Sequence, residues 1–126
     1  MKKIISTEGA PAAIGPYSQA VKAGNMIYTS GMLPINPVTG EITGSNITEQ
    51  TEQVLKNLVE VFKAAGATSD NVVKTTVFIK NMNDFAEMNA VYKKYFKENF
   101  PSRTCVEVAR LPKDALVEIE CVLYVQ

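Results

Sequence analysis

The sequence predicts an α+β fold, a mixed β-sheet with two helices on one face. Runs rich in β-branched and aromatic residues, bounded by Gly, Pro and Asn, occur at six places along the chain. Two apolar stripes at helical spacing fall between them, giving the order β-β-β-α-β-α-β-β. At 126 residues, with no repeat, low-complexity tract or linker, the chain reads as a single domain spanning 1–126. A chain of this length buries about two-thirds of the surface its unfolded form exposes.

"KKIIST" reads as a short first strand, and "GAPAAIGPYSQ" is loop, broken by Pro11, Gly15 and Pro16. "YSQAVKAGNMIYTSG" supplies two strands around a tight turn at Gly24-Asn25. "LPINPVTGEITG" is turn-rich and predicts a hairpin-like excursion. Asn46 with Glu49 three residues on is a capping-box pattern. Val54, Leu55, Leu58, Val59 and Phe62 then form one stripe, and Gly66 ends the helix. "NVVKTTVFIK", 71–80, predicts a central strand. The second helix takes Asp84 as N-cap and presents Phe85, Met88, Val91, Tyr92, Tyr95 and Phe96 before Asn99-Phe100-Pro101 breaks it. "RTCVEVAR" and "ALVEIECVLYV" finish the chain as neighbouring strands joined by the turn "LPKDA". Two helices on one side leave the other sheet face bare, which predicts self-association into a closed oligomer.

Composition excludes several chemistries. Thirteen basic residues balance thirteen acidic ones, so no basic excess drives nucleic-acid binding. No apolar run approaches the ~20 residues of a membrane span, and the start carries no apolar run resembling a signal peptide. Two isolated cysteines, Cys105 and Cys121, then predict reduced thiols in a cytoplasmic protein. Histidine is absent, which removes a Ser-His hydrolase and any histidine-ligated zinc site. Catalysis, if present, runs on carboxylates, Tyr, Cys, Lys, Arg and backbone amides.

Polar residues at the start of an otherwise strand-like run mark the candidate site. Arg103 is either a solvated rim charge or a bidentate fork for a carboxylate. Its small neighbours Ser102, Thr104 and Cys105 favour the second, because a ligand could reach the adjacent backbone N–H groups. Cys105 alternates onto the side of Arg103 and reads as a pocket-lining residue rather than a nucleophile. Glu118 and Glu120 share one face of the last strand with Leu116 and Val122. Carboxylates there are costly unless they pair with a neighbouring Lys or Arg, or activate a water. Gly31, after Ser30, permits a close approach or simply a turn. Tyr17 and Asn89, taken singly, read as structural polar groups.

Together, "GPYSQAV", "YTSG", "KTTVFI", "DFAEMNAVY" and above all "PSRTCVEVARLPKDALVEIE" resemble the Rid family, also called YjgF, over essentially the whole chain. The resemblance implies a chorismate-mutase-like sheet, with three subunits packing their sheets into a trimeric barrel and a cleft between each adjacent pair. It implies hydrolysis of short-lived enamines and imines, such as 2-aminoacrylate (2-iminopropanoate) and 2-iminobutanoate, to 2-keto acids and ammonia. Those substrates come from pyridoxal-phosphate-dependent serine and threonine dehydratases, and no cofactor or metal is required. Carried over by position, Arg103 grips the substrate carboxylate, the Cys105 N–H helps hold the same end beside Thr104, and Glu118 positions or activates water. Tyr17, Ser30, Gly31 and Asn89 match positions lining the cleft. Two rival readings remain: a ligand-sensing regulatory protein using the same cleft, and a ribonuclease or translation inhibitor. The second is the weaker because charge is balanced and no basic, aromatic-interleaved strip exists.

Overall fold

The computed structural model describes residues 1–126. Its elements are β1 (Lys2–Ile5), β2 (Ala20–Ala23), β3 (Met26–Thr29), α1 (Ile47–Ala64), β4 (Val72–Ile79), α2 (Phe85–Phe96), β5 (Ser102–Glu107) and β6 (Val117–Tyr124). The six strands form one mixed sheet in the order β1-β2-β3-β6-β4-β5, in which only β4 and β5 run parallel. The predicted fold class and element order are both present.

Helix α1 starts as its sequence dictates. The Asn46 side chain accepts from the Glu49 N–H at 2.9 Å, and the Glu49 carboxylate reaches back to the Ser45 N–H at 3.2 Å. It ends in a Schellman arrangement: Ala67 N–H donates to Phe62 C=O, and Gly66 adopts φ 75° just beyond the helix. Helix α2 differs from expectation, because Asp84 makes no side-chain cap bond. Instead, Asn81 accepts from Asn83 N–H and caps a short 3₁₀ turn, Met82–Asp84, that leads into the helix. The 33–44 segment closes as the predicted excursion, with Ile35 bridged to Ile42.

The two last strands are not neighbours, contrary to expectation: β4 lies between β5 and β6. Burial explains the arrangement. In β6, Val117, Ile119, Cys121 and Leu123 are all essentially inaccessible, so this strand is stable only inside the sheet. In β5, only Arg103 and Cys105 are even half-buried, which suits an edge. Because α2 carries the chain from β4 to β5 as a parallel crossover, β5 occupies the free edge of β4. Cys105 and Cys121 are therefore two strands apart.

One face of the sheet packs on α1 and α2. Ile27, Val77, Ile79, Val117, Ile119 and Leu123 meet Val54, Leu55, Leu58, Val61, Met88 and Val91 in one cluster. Three buried amide side chains fasten the loops to this core. Gln19 accepts from Thr7 N–H and donates to Pro11 C=O, Gln50 accepts from Leu116 N–H and donates to Gly44 C=O, and Asn57 donates to Ile35 C=O. The opposite face has no covering layer. Ile4, Tyr28, Val106 and Tyr124 are exposed there, between 40% and 52% of their surface accessible.

Candidate active site

Site residues fall into two clusters on opposite faces of the sheet. The first surrounds Arg103 on the helix face, beside the edge strand. Its guanidinium lies over the rings of Tyr92 (4.8 Å) and Phe85 (5.3 Å), and Nη1 donates to Asn89 Oδ1 at 2.6 Å. Phe85, Asn89 and Tyr92 stand at positions i, i+4 and i+7 of α2, one stripe facing β5. Arg103, Asn89, Tyr92, Lys93, Phe100 and Pro101 line a cavity of about 430 Å³. Arg103 has no carboxylate partner, since the only ion pairs are Lys63–Glu60 and Arg110–Asp114.

Backbone geometry adds donors to this cluster. Val108 N–H donates to Ile79 C=O across the β4–β5 ladder. Alternate amides of a strand point the same way, so the N–H groups of Arg103 and Cys105 point outward at the open sheet edge. Cys105 sits on the face of Arg103, packed against the core. Burial pushes its thiol up, and the Arg103 charge offsets that only partly. It is a weak nucleophile at neutral pH.

The second cluster is acidic and lies around the loop after β3. Tyr17, Ser30 and Gly31, with Gln19 and Met32, line a small cleft of about 50 Å³. Ser30 is fixed by donating its hydroxyl to Ser18 C=O at 2.6 Å and its N–H to Gln19 C=O at 3.0 Å. Tyr17, 53% exposed, stands free at the rim. The Glu118 side chain packs against Gly31 so closely that a Cβ there would meet Oε2 at 2.6 Å. Burial first, then the neighbouring Glu120, raises the Glu118 carboxyl above its ordinary value. Neither glutamate pairs with a Lys or Arg, so that open alternative is not what the structure holds.

Register settles which glutamate shares a face with Arg103: neither does. Arg103 stands on the rung of Thr75 and Cys121, facing the helices. Glu118 stands opposite Phe78, three rungs away and on the bare face. Backbone positions are thus about 10 Å apart along the strands and about 10 Å across them, with side chains diverging. Thr104 also leaves the Arg103 cluster: it points to the bare face on the rung of Thr76 and Glu120, accepting from Lys74 Nζ at 2.8 Å. Sequence reasoning placed Tyr92 and Phe85 only in the core. Their i, i+7 spacing around Asn89 was the signal that would have tied them to a polar partner.

This fold and these clusters define a known class. A family model described as Endoribonuclease L-PSP matches residues 7–125, and the chain belongs to that family, the Rid/YjgF group. Among its relatives is the 2-iminobutanoate/2-iminopropanoate deaminase of Escherichia coli, 54% identical over 125 residues and 97% of both chains. A RutC family protein of Pyrococcus horikoshii is 55% identical over 124 residues, 98% of both chains. The solved structure of the Rid family protein YyfA from Yersinia pestis superposes with a TM-score of 0.97 at 51% identity, covering 99% of this chain and all of that one. The Escherichia coli protein TdcF, solved with bound serine, gives 0.94 at 46% identity, with 98% and 99% covered.

Proposed function

We propose that this chain is a hydrolytic deaminase of small 2-imino acids and their enamine tautomers, acting at a site shared between neighbouring copies of the chain. The single observation that carries this reading is the division of its functional groups. A cationic, donor-rich half lies at the β5 edge and an acidic half lies by the bare face, each unpaired within one copy. A head-to-tail contact that sets the β5 edge of one copy against the Glu118 region of the next joins both halves and covers the bare face. We read the assembly as a closed trimer.

In that joined cleft Arg103 binds the substrate carboxylate through its free guanidinium edge, supported by the outward amides of Arg103 and Cys105. Glu118 holds one water against C2, with Tyr17, Ser30 and Gly31 shaping the space beside it. The water oxygen bonds to C2 while the C=N π pair moves to nitrogen, and Glu118 relays the water proton to that nitrogen. In the carbinolamine Glu118 carries the hydroxyl proton to the amine nitrogen, C=O forms as the C–N bond breaks, and ammonia departs with the electron pair of that bond. The products are a 2-keto acid and ammonia, and atoms balance with water as the only co-reactant. An imine carbon beside a carboxylate is electrophilic already, so orientation supplies most of what is needed. The names of two relatives point the same way, one as a deaminase of 2-imino acids and one as a protein solved with an amino acid bound.

The test couples a purified pyridoxal-phosphate-dependent serine or threonine dehydratase, the proposed source of the substrate, to this protein in the presence of an amine trap. Native protein should accelerate 2-keto acid release and Arg103→Ala should not. Equal acceleration by both removes Arg103 from the reading. No acceleration by either, with 2-keto acid binding to the native protein, makes the cleft a sensor instead.

A further inference from the structure

The ring beneath the Arg103 guanidinium is anchored to the same strand rung that carries the arginine. We propose that Tyr92 is the positioning residue of the anion site: its ring face carries the Arg103 guanidinium, and its hydroxyl is locked on Thr75. This rests on the carboxylate-binding role of Arg103 proposed above.

The contacts form a closed circuit. Thr75 and Arg103 are direct partners on the β4–β5 ladder. From that rung the Thr75 hydroxyl meets the Tyr92 hydroxyl at 2.8 Å in a buried hydrogen bond. The Tyr92 ring then returns to the Arg103 side chain, with its centroid 4.8 Å from the guanidinium carbon. Both anchors are buried, Thr75 fully and Tyr92 with 4% of its surface exposed. One turn earlier on α2, Asn89 accepts from Nη1 and fixes rotation about the guanidinium axis. Phe85 gives a second ring at 5.3 Å. The guanidinium is thus held by two rings and by Asn89, and its remaining N–H groups stay free.

Holding it matters for physical reasons. An arginine side chain has several rotatable bonds, and a binding partner must otherwise freeze them at its own expense. A ring face attracts the cation without supplying a competing acceptor, whereas a carboxylate in the same place would neutralise the charge the substrate needs. A hydroxyl buried against a strand threonine is also poor as a general acid or base, because burial raises the Tyr92 phenol above its ordinary value. Positioning, not proton transfer, is the chemistry this tyrosine can perform.

The experiment measures the affinity of 2-oxobutanoate and the KM and kcat of the coupled reaction for native protein, Tyr92→Leu, Tyr92→Phe, Arg103→Lys, the Tyr92→Leu/Arg103→Lys double variant and Arg103→Ala. Oligomeric state is checked for each. Tyr92→Leu should weaken 2-oxobutanoate binding about tenfold and raise KM by a similar factor, with kcat changed less than about threefold. In the Arg103→Lys background the same substitution should cost less than about threefold, because its effect passes through the guanidinium. Tyr92→Phe, which keeps the ring, should recover most of the affinity. Native-like affinity in folded Tyr92→Leu, or an equal loss in both backgrounds, overturns the inference. Should Tyr92→Leu not fold, nitrogen relaxation at Arg103 Nε of the native protein decides. An order parameter close to the rigid backbone value of about 0.85 supports the inference, and one below about 0.6 overturns it. The two readings fail separately: if Arg103→Ala binds 2-oxobutanoate as tightly as native, the carboxylate role of Arg103 falls. If it loses binding while Tyr92→Leu does not, only the tyrosine's role does.

Discussion

Replacing Gly31 by alanine perturbs the acidic half-site without replacing a charged residue. The new Cβ would lie 2.6 Å from Glu118 Oε2, 2.7 Å from Cδ and 3.1 Å from Cγ. Ordinary van der Waals contact begins near 3.4 Å, so the carboxylate must retreat by about 0.8 Å. Gly31 does not use the left-handed backbone region, so alanine adds no main-chain strain. What moves is the far end of a flexible side chain on the bare face, and the stability cost should stay within about 1 kcal/mol. A misplacement of about 1 Å at a group that orients a reactant costs on the order of a hundredfold in rate. In the coupled dehydratase assay, Gly31→Ala should therefore lose about a hundredfold in turnover. Its affinity for 2-oxobutanoate, set at the Arg103 half, should change less than about threefold. The same substitution made in Glu118→Gln should add little. Native turnover in Gly31→Ala, or an equal further loss in the Glu118→Gln background, refutes the reasoning.

Glu118 also predicts two pH dependences. If its ionised form orients water, the acid limb of turnover lies above the ordinary glutamate value of 4.5, and Glu120→Gln moves the limb down without abolishing the elevation, because burial is the larger cause. The folded state holds this proton more tightly than the unfolded chain does. Its stabilising contribution is therefore complete below about pH 4.5 and is lost as pH rises through the raised value. Glu118→Gln should accordingly raise the urea midpoint at pH 7 and leave it unchanged near pH 4; a lower midpoint at pH 7 contradicts this. Cys105→Ser should keep turnover within about threefold, since the thiol is pushed up and only the backbone amide is used, and iodoacetamide should label Cys105 slowly at pH 7 by mass spectrometry. Gln50→Ala orphans the Leu116 N–H and the Gly44 C=O, so urea unfolding should show a loss of about 2–4 kcal/mol. A loss below about 0.5 kcal/mol would mean water replaces both bonds.

Local signals carried most of the fold. The Asn46–Glu49 cap, the Val54–Phe62 stripe and the β-branched 71–80 run each depend on neighbours within a few residues, and each formed where expected. Strand order did not follow from such signals. β5 and β6 are consecutive strands joined by residues 108–116, yet β5 pairs with β4, a choice made by how much apolar surface each strand must hide. The same long-range pairing fixed the site. Arg103 and Cys105 share a face by simple alternation, which the sequence displays. The same alternation turns Thr104 to the other face; that Glu118 also faces that way depends on the β4 rungs, which the sequence does not display. Tyr92 read as core because it is core; its second role depends on Arg103 arriving from a strand ten residues later.

A mixing experiment bears most directly on the shared site. Arg103→Ala and Glu118→Gln, each expected to be inactive alone, are unfolded, combined in equal amounts and refolded, and turnover is measured in the coupled assay. Where Arg103 and Glu118 come from neighbouring copies, random assembly gives a native pair at about one interface in four, so about a quarter of native turnover should return. Were both supplied by the same copy, no mixed assembly would contain an intact site. Turnover no higher than the two variants measured apart, from a mixture shown to contain mixed oligomers, would contradict a site built between copies.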